Sequence, residues 1–300
     1  MVGLENYGPI SLAVGSLAAT VTNALVAIYF RPKSFPWLPG VAEIKRVLRF
    51  GSQLTASSIL GVIADSAPEL FLGKLQNLNA AGLYSRSNGL VHMFHRLFVD
   101  AVGAVCLPWF AKQARDRGSI ADPFLKATSY VTALGWSFCL AVVCLAHPIV
   151  RALYGTQWDQ AVDLARLLAV AMIFGVPASL CSYALLSSGA VTEIARVTAF
   201  STLQSVVFVA LGASHGLVAL GCAMIVSAAV SAALWLRATS RHIGVPLLGL
   251  LGTLRQSAIV AFSTAIFPLV ALTVYGPYPE ALLLPLSIGG LGVSPDSSLQ

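Results

Sequence analysis

Apolar stretches of about twenty residues recur along this chain and constrain its fold more than any other feature, because a bilayer core of about 30 Å needs roughly 20 apolar residues per helix. Only 10% of the 300 residues are charged and 57% are hydrophobic, whereas soluble domains carry about 25% charged residues. We expect nine membrane helices, at residues 10–30, 51–73, 83–109, 127–147, 164–187, 195–213, 215–236, 256–275 and 280–293. Such continuous runs predict an all-α, polytopic helical membrane bundle and do not fit a lipid-embedded barrel.

The basic residues lie mainly in alternate connections of this bundle. With the basic linker at 31–50 placed in the cytoplasm, the inner connections hold Arg31, Lys33, Lys45, Arg46, Arg49, Lys112, Arg115, Arg117, Lys126, Arg196, Arg237, Arg241 and Arg255. The outer connections hold Lys74, Arg86, Arg151 and Arg166. This asymmetry predicts a multi-pass membrane protein with the inner connections in the cytoplasm. The net charge of +6 therefore follows topology and does not indicate nucleic-acid binding.

The same orientation makes specific predictions about loops and short segments. We expect the loops around Lys45, Arg115 and Arg241 in the cytoplasm, and those around Asn79, Tyr154 and Gly276 outside the membrane. Residues 41–50 alternate apolar and basic positions at helical spacing, which indicates either an interfacial helix or a simple topology anchor. Trp158 lies in a turn with alternating charges, as expected of an outer aromatic anchor.

Two carboxylates and a proline interrupt the predicted second helix. A stripe with a spacing of four residues contains Gln53, Ser57, Gly61, Asp65 and Glu69. Residues so spaced share one face of a helix, and Pro68 lacks the N–H that would bond the carbonyl of Ala64, which favours a kink. One hypothesis is that Asp65, Glu69 and Pro68 form a gate that responds to H⁺ or Na⁺. The alternative is that both acids rest among lipid headgroups at the outer interface.

The predicted third helix carries a second polar stripe, formed by Asn88, His92, Arg96 and Asp100. Arg96 falls near the middle of the run, where a charge costs at least about 2.5 kcal/mol, so it should face a cavity or a partner. The two stripes would line a hydrated substrate path. The alternative is that Arg96 and Asp100 form a purely structural ion pair.

Motifs for bound cofactors and for catalysis are missing. His92 and His95 lack HExxH spacing, the five cysteines lack CxxC spacing, and no glycine-rich stretch leads into a Lys-Ser/Thr pair. No nucleophile elbow is present. We therefore expect no catalytic residues, no metal and no cofactor, and a protein that is not an enzyme.

Three segments resemble a known transporter family. The stretch FLGKLQNLNAAGLYSRSNGL is similar to a helix-loop-helix of oligosaccharide-lipid flippases, and LPWFAKQARD and HPIVRALYGTQWDQAVDLARLLAVA resemble their following loops. The family is the polysaccharide-transport branch of the multidrug/oligosaccharidyl-lipid/polysaccharide exporter superfamily, which contains the O-antigen and exopolysaccharide flippases. The similarity covers roughly residues 10–240.

The resemblance implies two pseudo-symmetric lobes, of which this chain holds one. Residues 1–30 then correspond to the last helix of a missing first lobe, 31–50 to the linker, 51–236 to a second lobe of about six helices, and 237–300 to trailing helices and a polar tail. We expect a lipid-linked oligosaccharide of the undecaprenyl-diphosphate type to cross by alternating access, with Arg96, His92, Asn88 and Asp100 lining its cavity. Membrane lipids, H⁺ or Na⁺ and the polysaccharide polymerase machinery are the expected partners, and nucleic acid is not.

Three other functions remain open at this stage. A truncated fragment would not transport, and the implied loss of one lobe and a shortened last helix favours it. A membrane glycan polymerase or ligase would need a large outer loop, whereas the predicted outer loops are short. A drug or cation exporter of the same superfamily is the third alternative.

Overall fold

Helices form every element of the computed structural model, which describes residues 8–30, 44–116 and 118–275. In lipid, a backbone must satisfy its own polar groups, and a helix does this within one segment. The elements are α1 (Gly8–Tyr29), α2 (Ile44–Leu75), α3 (Leu78–Phe94), α4 (Asp100–Arg115), α5 (Ala121–Tyr154), α6 (Val162–Gly175), α7 (Cys181–Ser187), α8 (Val191–Ser214), α9 (Leu217–Ile243) and α10 (Leu247–Tyr275).

Short segments of other helix types join some of these elements into longer spans. A π-helical segment, His95–Val99, connects α3 to α4, and 3₁₀ turns at Thr156–Ala161 and Val176–Ala178 flank α6. Six helical spans in the described residues are long and apolar enough to cross a membrane: Val47–Leu75, Leu78–Arg115, Ala121–Tyr154, Thr156–Ser187, Val191–Ser214 and Leu217–Ile243. The predicted polytopic helical bundle is confirmed.

Two further predicted helices coincide with α1 and α10, while the ninth, at residues 280–293, lies outside the described residues together with most of the basic linker and the polar tail. By packing, the chain separates into two units, Met1–Arg49 and Phe50–Gln300. Residues 44–50 form the first turns of α2 and no separate interfacial helix. In the first unit, the side chains of α1 from Val14 onward are exposed.

Local sequence signals set the helix ends and bends of the second unit. The side chain of Asn77 accepts a hydrogen bond from the backbone N–H of Ala80 (2.7 Å) and so caps the start of α3. Gly155, with φ of 90°, ends α5, a backbone conformation that glycine adopts without steric cost. Within α5 the backbone leaves helical geometry at Leu145 (φ −104°, ψ 18°), three residues before Pro148. Proline disrupts the preceding turn because it lacks an N–H.

Two apolar clusters hold the second unit together. One contains Leu72, Tyr84, Val150, Leu168 and Leu220, contributed by α2, α3, α5, α6 and α9. The other contains Phe94, Phe110, Phe124, Leu180 and Val245, which lie on α3, α4, α5 and the segments before α7 and after α9. The members of each cluster come from far apart in sequence, so burying them fixes the arrangement of the helices.

Glycines allow the closest helix contacts. A Cβ atom at Gly212 of α8 would lie 2.8 Å from the Cα of Leu220 and 3.0 Å from the carbonyl oxygen of Ala219, both on α9. A Cβ at Gly221 of α9 would lie 2.8 Å from the Cβ of Leu167 on α6. Small residues at such crossings let backbones in membranes approach closely, and here they place α8, α9 and α6 around a shared space.

Candidate functional site

A cavity of about 690 Å³ lies among α2, α3, the π segment, α6, α7, α8 and α9. Tyr84 and Val91 of the first apolar cluster and Val99 and Val176 of the second contribute to its wall. Its polar lining consists of Asp65, Asn88, His92, His95, Arg96, Ser179, Ser182, Ser205, Ser227 and Ser231. The cavity thus combines an apolar frame with polar groups from α2, α3, the π segment, α7, α8 and α9 and from the turn at Ser179.

One wall of the cavity contains charged and polar groups from both predicted stripes. Asp65 lies ten residues before the end of α2, and Asn88 lies ten residues after the start of α3. With a rise of about 1.5 Å per residue, each is about 15 Å from the turn between these helices. Asp65 and Asn88 therefore lie at the same depth.

Arg96 lies deeper in the same wall. It is the 19th of the 38 residues of the span Leu78–Arg115, so it stands at the middle of that span. His92 and Arg96 are both exposed, and the ring centroids of His92 and His95 are 6.4 Å apart. Among the described residues, Arg96 has no hydrogen bond or ion pair, and its five guanidinium N–H donors remain available.

The structure contradicts the alternative in which Arg96 and Asp100 form a structural ion pair. Asp100 faces His95 instead, with 3.6 Å between Nδ1 of His95 and Oδ1 of Asp100. The cause is the π segment, in which the backbone N–H of Asp100 bonds the carbonyl of His95, five residues earlier. This wider turn brings residues five apart onto one face and leaves Arg96 free of the carboxylate. Such π-bulges are frequent at functional sites.

Three predicted site residues lie outside the cavity lining. Glu69 is exposed on α2, Pro68 is buried, and Asp100 is exposed beyond the π segment. The helix α2 continues without interruption through Pro68. The cavity therefore includes Asp65 but not its predicted companion.

Sequence reasoning missed a second wall of the cavity that is made of serines. Ser179 follows the second 3₁₀ turn, Ser182 lies in α7, Ser205 in α8, and Ser227 and Ser231 in α9. We call these five residues the serine wall. The one sequence signal was the spacing of Ser227 and Ser231, four residues apart in an apolar helix, which places both on one face.

The segment with Trp158 forms a packed cluster near the ends of α3 and α5. The guanidinium carbon of Arg86 lies 5.2 Å from the centroid of the Trp158 ring and 5.6 Å from that of Tyr154. Arg151 donates to both carboxylate oxygens of Asp159, at 2.9 Å from Nε and 2.7 Å from Nη2. These contacts connect α3, α5 and the first 3₁₀ turn.

Metal binding finds no support in the part of the chain that the structure describes. It contains no group of three or more His, Cys, Asp or Glu side chains that could hold an ion. His92 and His95 are accompanied by Arg96, whose positive charge disfavours a cation between them.

The sequence matches known proteins over part of its length. A family described as "Polysaccharide biosynthesis protein" matches residues 2–163. A succinoglycan biosynthesis transport protein of Rhizobium meliloti is 28% identical over 46% of this chain and 29% of the relative. An amylovoran biosynthesis protein of Erwinia amylovora is 25% identical over 57% of this chain and 44% of the relative. A lipopolysaccharide biosynthesis protein of Escherichia coli is 24% identical over 55% of this chain and 34% of the relative.

The chain thus spans less than half the length of these curated relatives. No solved structure matches it significantly. The six apolar spans and the relatives identify a multi-pass protein of the bacterial cytoplasmic membrane. Because the family match covers more than half of the chain, the resemblance in the sequence is confirmed, and the chain belongs to the polysaccharide biosynthesis protein family.

Proposed function

We propose that the second unit of this chain is one lobe of a flippase that moves a lipid-linked oligosaccharide across the cytoplasmic membrane. The substrate would be a glycan joined through a diphosphate to a polyprenyl lipid. Its headgroup is large, polar and anionic, so it needs a hydrated path with fixed positive charge. Names of the relatives that refer to polysaccharide biosynthesis and transport support the same substrate class.

The observation that carries this proposal is the unpaired guanidinium of Arg96 in the cavity at the middle of its span. A charge at that depth is costly unless it has a role or a partner. Guanidinium binds phosphate oxygens through two parallel N–H bonds, and this geometry suits a diphosphate. His92 and His95 stand beside it and would add donors when the substrate is bound.

The cavity wall formed by α2, α3 and the π segment carries exposed charged groups, and this supports our proposal that the second unit is one lobe of a larger transporter. Asp65, His92 and Arg96 are all exposed although they lie within membrane-spanning helices. Lipid cannot solvate such groups, so they need water or another protein surface on the open side of the cavity. A facing lobe would enclose the cavity, and rocking of the two lobes would give alternating access.

Asp65 is the residue in this cavity that we assign to ion coupling. Carboxylates that line cavities within membrane helices are a common site of proton or cation binding in transporters. Ion occupancy would change the charge beside Asn88 and His92, and a conformation that binds the ion better would become more populated. Pro68 and Glu69 lie outside the cavity lining and would contribute only through the position of α2.

A glycan polymerase or ligase fits the second unit less well. The described connections on the outer side are short: Gln76 and Asn77 separate α2 from α3, and His215 and Gly216 separate α8 from α9. Among these connections there is no room for a catalytic domain.

Binding of a short prenyl diphosphate to the full chain in lipid nanodiscs tests the proposal. We expect the wild type to bind the radiolabelled lipid, and Arg96→Ala to weaken binding at least tenfold, since hydrogen bonds to charged groups contribute about 1.5–3 kcal/mol. Arg96→Lys should retain part of the affinity, because it keeps the charge but loses the planar fork.

The matched control is Arg241→Ala, which removes an exposed arginine at the end of α9, away from the cavity. Its affinity for the prenyl diphosphate should equal that of the wild type. If the wild type fails to bind the lipid, or if Arg96→Ala binds it as well as Arg241→Ala does, the proposed function is wrong.

A further inference from the structure

We infer that the serine wall, formed by Ser179, Ser182, Ser205, Ser227 and Ser231, is a subsite for the hydroxyl-rich sugar of the lipid-linked substrate. The inference rests on the proposed function, because it assigns the uncharged part of the same ligand. It separates the cavity into two chemical regions. The wall from α2, α3 and the π segment would bind the diphosphate, and the serine wall would bind the glycan.

The hydrogen bonding of these serines differs from that of many other serines in the bundle. Nine serines outside the cavity donate their hydroxyl proton to a carbonyl three or four residues earlier in the same helix: Ser57, Ser58, Ser87, Ser137, Ser187, Ser188, Ser214, Ser257 and Ser263. Such back-bonding satisfies a hydroxyl in lipid. None of the five serines of the wall donates to a protein group that the structure describes. Their O–H donors are left for something in the cavity.

Gln204 of α8 donates to two of these serines and leaves their own O–H donors unused. Its side-chain N–H₂ group donates to Oγ of Ser231 at 2.6 Å and to Oγ of Ser227 at 3.2 Å. Both hydroxyls therefore act as acceptors toward Gln204 and keep their own protons. The amide oxygen of Gln204 is itself buried without a partner among the described residues. These hydrogen bonds fix the positions of the two hydroxyl groups and leave their O–H donors free to bond a ligand.

The side chains of the remaining three serines neither donate nor accept a hydrogen bond within the part of the chain that the structure describes. The hydroxyl oxygen of Ser179 is buried and has no hydrogen-bond partner in the part of the chain that the structure describes. Ser182 and Ser205 likewise make no side-chain hydrogen bond to a described residue. Ser182 and Ser205 are half-buried, so their hydroxyls can bond a ligand in the cavity without losing a protein partner.

The chemistry of the wall fits a neutral sugar better than the other parts of the substrate. The positive charge that a diphosphate requires lies on the opposite wall, at Arg96, and a prenyl tail offers no hydrogen-bonding groups at all. Each sugar hydroxyl both donates and accepts, as each serine does. The five serines come from α7, α8, α9 and the turn before α7 and line one space, so they can contact several positions of a sugar ring.

Two ligands of equal charge test this assignment. Both are diesters of a short prenyl diphosphate, one capped with a methyl group and the other carrying one N-acetylglucosamine. We expect the wild-type chain in nanodiscs to bind the sugar-bearing lipid more tightly. The double variant Ser182→Ala/Ser205→Ala should lose this gain by about two- to tenfold per serine, the effect of one neutral hydrogen bond. Its affinity for the sugar-free lipid should not change.

The choice of variants keeps the test independent of folding. Ser182 and Ser205 have no described protein partner for their hydroxyls, so their removal should leave the fold intact. A second variant, Ser227→Ala/Ser231→Ala, removes the pair held by Gln204 and should show the same selective loss. The matched control is Ser58→Ala/Ser188→Ala, in which both hydroxyls donate within their own helices.

The outcomes distinguish this inference from the proposed function. Selective loss of the sugar-dependent gain in both wall variants supports the serine wall. If both keep the full gain while Arg96→Ala still weakens binding of the sugar-free lipid, the wall is not a sugar subsite and the proposed function stands. If the wild type binds neither lipid, the proposed function fails and the inference fails with it.

Discussion

The contact between α8 and α9 at Gly212 allows a quantitative prediction, because these two helices carry three residues of the serine wall. In Gly212→Ala, the new Cβ would lie 2.8 Å from the Cα of Leu220, whereas an ordinary contact begins at 3.4 Å. The difference is 0.6 Å, and side-chain rotation cannot provide it because the opposing atom belongs to the backbone. The helices must separate by about that distance. Such overpacking typically costs about 1–3 kcal/mol.

The same substitution at Gly61 isolates this steric cost. A Cβ at Gly61, in the middle of α2, would meet nothing within 4 Å. Both variants gain the helix propensity of alanine over glycine, about 1 kcal/mol in water, so this contribution cancels in the comparison. We expect Gly212→Ala to be less stable than Gly61→Ala by about 1–3 kcal/mol.

Reversible unfolding in mixed micelles with increasing SDS, followed by circular dichroism, measures this difference. Gly212→Ala should unfold at a lower SDS fraction than the wild type, and Gly61→Ala should not. The sugar-dependent gain in affinity should also fall in Gly212→Ala, because Ser205 would move away from Ser227 and Ser231. Equal unfolding free energies for the two alanine variants would refute the packing argument.

Three further predictions concern topology, ion coupling and the outer cluster. Single cysteines introduced at Asn79 should react with a membrane-impermeant maleimide in intact cells, and those at Arg115 should not; labelling at Arg115 would overturn the orientation. In a complete two-lobed transporter, Asp65→Asn should abolish the H⁺ or Na⁺ dependence of flipping in proteoliposomes, while Glu69→Gln, outside the cavity, should preserve it; an unchanged dependence in Asp65→Asn would exclude that residue as the ion site. Trp158→Ala should lower the unfolding free energy by about 2 kcal/mol or more, because it removes buried surface and a cation–π contact. Trp158→Phe should recover part of this free energy. An alanine variant as stable as the wild type would contradict the packing of this cluster.

The sequence by itself determined the class of fold and the family. Runs of apolar residues long enough to cross a bilayer leave the helix as the way to satisfy the backbone, and six of the predicted helices coincide with described membrane spans. The meeting of Asp65 with Asn88 and His92 was also predictable, because α2 and α3 are joined by a turn of two residues. A short turn makes the helices antiparallel neighbours, so residues equally far from it lie at the same depth.

Only the tertiary structure decided which groups remain available inside the bundle. In a regular α-helix the spacing of four residues would place Arg96 and Asp100 on one face. The π segment adds a residue to that turn, so the carboxylate of Asp100 faces His95 instead. The spacing of the polar residues in the sequence gives no signal for this wider turn. Phe94 and Val99, at its two ends, are buried in the second cluster, whose other members come from distant segments.

The serine wall was invisible in the sequence for a related reason. A serine in a membrane helix often donates its hydroxyl proton to a backbone carbonyl of the same helix. The sequence does not show which serines do so. Ser182, Ser205 and Ser227 are separated by more than twenty residues from one to the next. Ser205 and Ser227 come together because Gly212 allows α8 and α9 to pack closely. Helix type and depth follow from local composition, whereas the lining of a cavity depends on contacts between distant segments.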